Sequence, residues 1–247
     1  ILCGPDSRSG GVLPRGFKSR PRHQIFYSYF SWGVFMRNPQ RIIQRLKENI
    51  NQIIKFAERN KIYFVFTLLK DTRRILKQIA QEIMLRYDVS TSFKREFFNQ
   101  ISFCKEIFPI LEQLINERFD LIMDLLILLE KTGFINEVRD FLLKTLKKVE
   151  KNKHILARLV MYTYDMGYYD LAVIGMEKLK SIYGTEANLV YNLALAYYMI
   201  GKTNKANELV EALLKRGYYF AYGLAIAVNI ARANLKKANE ASKRFFI

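Results

Sequence analysis

The triplet Gly201-Lys202-Thr203 is the tail of a phosphate-binding loop, in which backbone amides and a lysine hold the phosphates of a nucleotide. Such a loop needs another glycine five residues upstream, after a strand. Ala196 stands there, the segment before it reads as helix, and Tyr197 and Tyr198 would crowd a phosphate. The triplet is read as a turn between helices. The other residues able to do chemistry are scattered. His23 and His154 are isolated, and His154 opens a helix. Asp165, Asp170 and Glu177 lack the His-x-x-x-His or Asp-x-Asp spacing of a metal site. Cys3 and Cys104 are too far apart for a ligand pair and form no disulfide framework. No nucleophile is paired with a base. No catalytic, metal-binding or cofactor-binding residue is assigned, and the chain is read as non-enzymatic.

Charge is the remaining chemical signal. The 247 residues carry 40 Lys+Arg against 23 Asp+Glu, a formal net charge of +17. That excess attracts acidic partners, but it is spread along the whole chain. Arg41, Arg45, Lys55 and Arg59 share the polar face of one expected helix, and Lys70, Arg74 and Lys77 that of the next. As a pair of basic stripes these seven are candidate phosphate contacts for a nucleic acid. As a solvated face diluted by Glu48 and Glu58 they need no partner. No run of about 18 uncharged apolar residues occurs, so no membrane span is expected. Two thiols in a chain this long fit a reducing compartment, with the cytoplasm as the expected location.

Residues 1–24 hold four of the twelve glycines and three of the five prolines without apolar periodicity. This composition reads as disordered, and 1–35 as a disordered or non-native extension. An aromatic run at 25–36 follows, in which Met36 is a natural start. Its outline resembles a secretory leader, but Arg37 follows at once and no small-residue cleavage site appears. The apolar ending Lys-Arg-Phe-Phe-Ile reads as a cut through a longer protein. Residues 36–118 read as a helical module. Asn38-Pro39 starts a helix whose apolar stripe is Ile42, Leu46, Ile50, Ile53 and Ala57. A second helix at 61–87 carries Phe64, Leu68, Ile75, Ile79 and Ile83. Ser90 or Thr91 caps a third, with Phe93, Phe97, Ile101 and Cys104, and Pro109 opens a shorter fourth.

The second half repeats. Gly133, Gly167 and Gly201 are 34 residues apart. Eight residues before each stands a leucine, Leu125, Leu159 or Leu193, and eleven before each an apolar Ile122, Leu156 or Val190. Five after come Val138, Ala172 and Ala206, and nine after come Leu142, Met176 and Val210. A recurring frame of this length means a stack of supersecondary units. Each unit reads as two helices, A at 187–200 and B at 203–216 in the best example. Gly201 ends helix A in the left-handed region, and the small Ala206 lets helix B approach closely. One pair buries only part of its apolar surface, so the units must stack.

The segment "YNLALAYYMIGKTNKA", through Tyr191, Asn192, Leu193, Ala194, Tyr197, Tyr198, Gly201 and Ala206, resembles the tetratricopeptide repeat. "ILARLVMYTYDMGYYDLA" matches it through Leu159, Tyr164, Gly167, Tyr169 and Ala172. The units are 119–152, 153–186, 187–218 and a partial 219–247 with Ala238 in the helix B slot. The proline between units is replaced by Glu150, Gly184 and Tyr218. The resemblance implies an all-α α-solenoid of helix-turn-helix repeats behind a helical N-terminal region. It further implies a concave groove for a protein or peptide partner. Carried over by position, that groove presents Met123, Ile127, Ala157, Arg158, Met161, Tyr164, Tyr191, Asn192, Leu195 and Tyr198. The carboxylate clamp of some relatives is absent, since Met123, Ala157 and Tyr191 stand where its first lysine would be. The expected function is a non-catalytic protein-interaction scaffold. The alternative is a basic helical protein that binds nucleic acid or regulates.

Overall fold

The computed structural model describes residues 39–85, 97–149 and 152–245. The 1–35 extension, Met36, the Asn38 cap, Cys3, His23, the Ser90 or Thr91 cap with Phe93, and the last two residues lie outside them. Among the described residues there are α-helices and short 3-10 segments, and no strand. The chain divides into two compact units between Ile155 and Leu156.

The first unit holds α1 (Pro39–Glu58), α2 (Ile62–Leu85), the 3-10 segment η1 (Ser102–Ile107), α3 (Phe108–Leu114), α4 (Phe119–Lys131) and α5 (Ile135–Lys148). α1 packs on α2, α2 on α4, and α3 touches η1, α4 and α5. The α1 stripe is as expected at its centre, with Leu46, Ile50 and Ile53 wholly buried and Ile43 added. The α2 stripe is corrected. Phe64 is 51% exposed, and Val65, Leu69, Leu76 and Ile79 form the buried face together with Ile75. Phe64 lies beside the turn, where it stacks on Phe56 of α1 at 5.2 Å. Its ring finds a neighbour there without entering the core. The expected third helix is also corrected, for it does not run as α-helix to Cys104. A helical turn at 97–100 breaks at Ile101, and η1 carries the chain to Ile107 with Cys104 buried in it. Pro109 is the cause. It lacks the N–H that would bond Lys105 and its ring crowds that carbonyl, so the chain tightens into 3-10 before α3 opens on Pro109.

The second unit holds α6 (Lys153–Asp165), whose first residues lie before the division, α7 (Tyr169–Tyr183), α8 (Ala187–Met199), α9 (Thr203–Lys215), η2 (Tyr219–Ala221), α10 (Tyr222–Ala231) and α11 (Leu235–Phe245). From α7 to α11 each helix packs on the next in chain order. This is how a short amphipathic helix hides its apolar stripe when no sheet is available.

One device closes the hairpins of both units. After helix A ends, a residue at positive φ turns the chain, and the following N–H donates to the carbonyl five residues back. Phe134 donates to Leu129 at 3.0 Å, Tyr168 to Thr163 at 2.9 Å and Lys202 to Tyr197 at 2.9 Å. The turning residues are Gly133, Gly167 and Gly201, with φ of 111°, 82° and 75°. Asn60 does the same between α1 and α2 at φ 53°, where Lys61 donates to Phe56 at 2.8 Å. In the partial last unit the turn falls on Ala233, φ 55°, and Asn234 donates to Asn229 at 2.8 Å. All fifteen framework positions are glycine at these turns or buried side chain, from Ile122, Leu156 and Val190 through Leu142, Met176 and Val210.

Candidate interaction surface

Once the hairpins of the second unit have packed, aromatic rings are left on its surface. α6 supplies Tyr164 and α7 supplies Tyr169, their rings edge to face at 5.2 Å. α8 supplies Tyr191, whose ring meets Phe220 of η2 edge to face at 5.3 Å. Phe220 in turn lies 5.8 Å from Tyr218, and the Arg216 guanidinium sits over Tyr218 at 5.1 Å. Arg216 also donates to the Thr185 carbonyl at 2.7 Å, which holds it in place. Burial pushes the Tyr164 phenol up to about 12, with Tyr169, Tyr191 and Asp165 adding to the shift. The rings thus form two groups, Tyr164 with Tyr169 and Tyr191 with Phe220 and Tyr218. The second is open to solvent: Phe220 is 47% exposed and Tyr219 beside it 69%.

The ten groove positions inferred from the resemblance separate on burial. Met123 and Ala157 are corrections, since both are buried and present no surface. α4 is packed by α2, α3 and α5, which leaves Met123 no open side. Ala157 is a single methyl in the buried run from Ile155 to Ala157. Ile127 is half-buried on α4 in the first unit. Arg158, Met161, Tyr164, Tyr191, Asn192, Leu195 and Tyr198 are half-buried in the second. Of these, Tyr164 meets Tyr169 and Tyr191 meets Phe220. Tyr218, Phe220 and Arg216 were not among the ten. Their only sign in the sequence is the Tyr-Tyr-Phe run after Gly217.

The basic stripes belong to the first unit and are partly spent inside it. Arg45 Nη2 donates to both Asp71 carboxylate oxygens at 2.9 Å, and the buried Asn49 donates to Oδ2 at 2.9 Å. Arg74 reaches the same carboxylate at 3.8 Å. Arg45 and Arg74 thus face Asp71 while both side chains stay largely exposed, and Arg41 also has an interaction of its own. Lys55, Arg59, Lys70 and Lys77 are exposed. Burial pushes the Asp71 carboxyl up, but the hydrogen bonds from Asn49 and Arg45 and the charges of Arg45 and Arg74 outweigh it. The carboxyl is held below its ordinary value of 3.8. A lowered folded value stabilises the fold above the unfolded value, and the contribution fades as pH falls through the folded one. Asp71→Asn is therefore expected to lower stability by about 1 kcal/mol at neutral pH, with Arg45 largely solvated. It should also flatten the fall in stability below pH about 4. Urea melts from pH 2 to 7 check this; parallel acid limbs in the two proteins would refute it.

Gly201-Lys202-Thr203 is the turn between α8 and α9. His154 is exposed at the start of α6. Glu177 accepts a hydrogen bond from the Tyr197 hydroxyl at 2.9 Å. Burial, aided by Glu106, pushes the Cys104 thiol up to about 12, which makes it a poor nucleophile at neutral pH. No group of three or more His, Cys, Asp or Glu able to hold a metal occurs among the described residues. No helix among them is long and apolar enough to cross a membrane.

No protein-family model and no curated protein matches the chain. Among solved structures, a tetratricopeptide repeat protein from Parabacteroides merdae is similar at 11% identity and a TM-score of 0.36, over 82% of this chain and 79% of that one. MamA MSR-1 is similar at 17% identity and TM-score 0.32, over 83% and 98%. MamA AMB-1 is similar at 17% and 0.31, over 82% and 92%. Scores this low add no weight to what the helices and turns establish by themselves. On that evidence the chain is an all-α protein of helical hairpins similar to tetratricopeptide repeats.

Proposed function

We propose that the chain is a non-catalytic protein-interaction scaffold, and that the second unit takes an apolar or amphipathic segment of another protein on the face around Tyr164, Tyr191 and Leu195. The observation that carries this is the set of aromatic rings left outside the core, Tyr164 with Tyr169 and Tyr191 with Phe220 and Tyr218. Apolar surface kept exposed and contiguous marks a contact site more often than accident. Tyrosine suits such a site, because its ring gives contact area at little entropic loss and its hydroxyl stays wet. The nucleic-acid reading is supported by the exposed basic residues of α1 and α2, a sparse set beside Glu48 and Glu58 and partly paired with Asp71.

The test is selection of binders from a displayed peptide library, followed by titration against wild type and the double variant Tyr191→Ala/Leu195→Ala. The variant should bind the selected peptides at least about 10-fold more weakly, a loss of about 1.4 kcal/mol, with its far-ultraviolet circular dichroism unchanged. Equal binding by the two proteins, or a library that yields no binder, would remove the proposal.

A further inference from the structure

The repeating frame changes chemistry at one junction of the second unit. Between α7 and α8, Val173 follows the turn at Gly167 and is buried, and Tyr197, just before the turn at Gly201, donates its hydroxyl to Glu177. The same frame places Asn207 after Gly201 and Asn229 before Ala233, at the junction of α9 with α10. Two amides thus stand where the frame had an aliphatic and an aromatic side chain. Both are buried, and neither side-chain oxygen has a hydrogen-bond donor among the described residues. Burying an amide oxygen without a donor works against the closed junction. This junction is also the least extensive of the four from α7 to α11. Its surface links are polar. Arg232 donates to Asn204 Oδ1 at 3.1 Å, and Lys237 Nζ to Glu211 Oε1 at 2.8 Å. Exposed links of this kind contribute little.

The elements beyond the junction hold to one another more firmly than to α9. α10 packs more extensively on α11 than on α9. η2 runs directly into α10, and the Tyr219 ring stacks parallel to Tyr222 at 6.1 Å. Gly217 lies between α9 and η2 at φ 81°, with nothing within 4 Å of where a Cβ would stand, so it can absorb a rotation. Phe220 is part of η2, and its ring meets Tyr191 of α8.

We infer that η2, α10 and α11 form a latch that swings from α9 as one body about Gly217, and, given the contact site proposed above, that this site is complete only while the latch is shut. Opening withdraws Phe220 from Tyr191. A partner that touches both rings selects the shut state and holds it.

Hydrogen exchange of the full chain, read by mass spectrometry where rates follow the opening equilibrium, tests this. The slowest amides of α10 and α11 should exchange together, at least about 10-fold faster than the slowest of α7 to α9. Asn207→Val, which restores the residue type of Val173, should slow them about 3-fold or more. Lys237→Met should speed them about 2-fold to 5-fold. A library-selected peptide at ten times its Kd should slow them about 10-fold, the factor by which it depletes the open state. At equal occupancy it should not do so in Phe220→Ala. Exchange of α10 and α11 in step with α7 to α9 would overturn the latch, whatever peptides bind. Rates unmoved by Asn207→Val and Lys237→Met would overturn the part given to the α9–α10 junction. A bound peptide that leaves the rates unchanged would overturn the coupling and leave the scaffold proposal standing. Absence of any binder would remove that proposal and the coupling together, while the latch stands or falls on exchange alone.

Discussion

Gly133→Ala is expected to lower the unfolding free energy by about 2–5 kcal/mol, from two unfavourable terms that act together. Its φ of 111° lies beyond the left-handed basin near 57° that other residues visit. An added Cβ would also stand 2.7 Å from Cδ2 and 3.0 Å from Cε2 of Phe98. That ring is itself packed 4.9 Å from Phe134 and lies near the Lys105 ammonium, so it has little room to retreat. Gly201→Ala is the matched control. There φ is 75° and nothing lies within 4 Å of the new atom, so a loss of about 1 kcal/mol is expected from backbone conformation alone. Urea unfolding of the two variants beside wild type decides the matter. Equal losses would mean that the contact with Phe98 carries no energy.

Leu193→Ala should cost about 2–5 kcal/mol, the range for a leucine removed from a packed core with its cavity left behind. Leu193 is wholly buried on α8, between α7 and α9. Leu195, two residues on, faces another way and is only half-buried. Its truncation should cost less than half as much while weakening peptide binding. This pair separates framework from surface on one helix. If Leu195→Ala destabilised as much as Leu193→Ala, the face proposed for partners would be core.

The repeat was readable because its signals are local and redundant. Three glycines one period apart, each with a leucine eight residues before it, report the same hairpin three times, and any one of them would have been weak. Ala233 shows the limit. Its turn has the same hydrogen bond, but alanine gives no sign of a left-handed residue, so only Ala238 marked the last unit. The α2 stripe was missed by one residue, because periodicity cannot tell Phe64 from Val65 when both flank an apolar arc. What an aromatic ring does beside a turn depends on the partner that the hairpin delivers, here Phe56. The pairing of Arg45 with Asp71 joins residues 26 apart, and no spacing rule reaches that far. Met123 and Ala157 stand at positions equivalent to Tyr191, yet only the neighbours packed around each helix decide which of them sees solvent. The Tyr-Tyr-Phe run after Gly217 was visible, but its meaning depended on Tyr191 lying across from it.

The five-residue closure of each hairpin also governs how the second unit is assembled. Helices that are neighbours in space from α7 onward are neighbours in the chain, so few long loops need closing before contacts form. Loop entropy is then small and the mean sequence separation of contacts is low, the conditions for rapid folding. A ribosome releasing this stretch presents one hairpin at a time, each able to close before the next emerges and to serve as the template on which it packs.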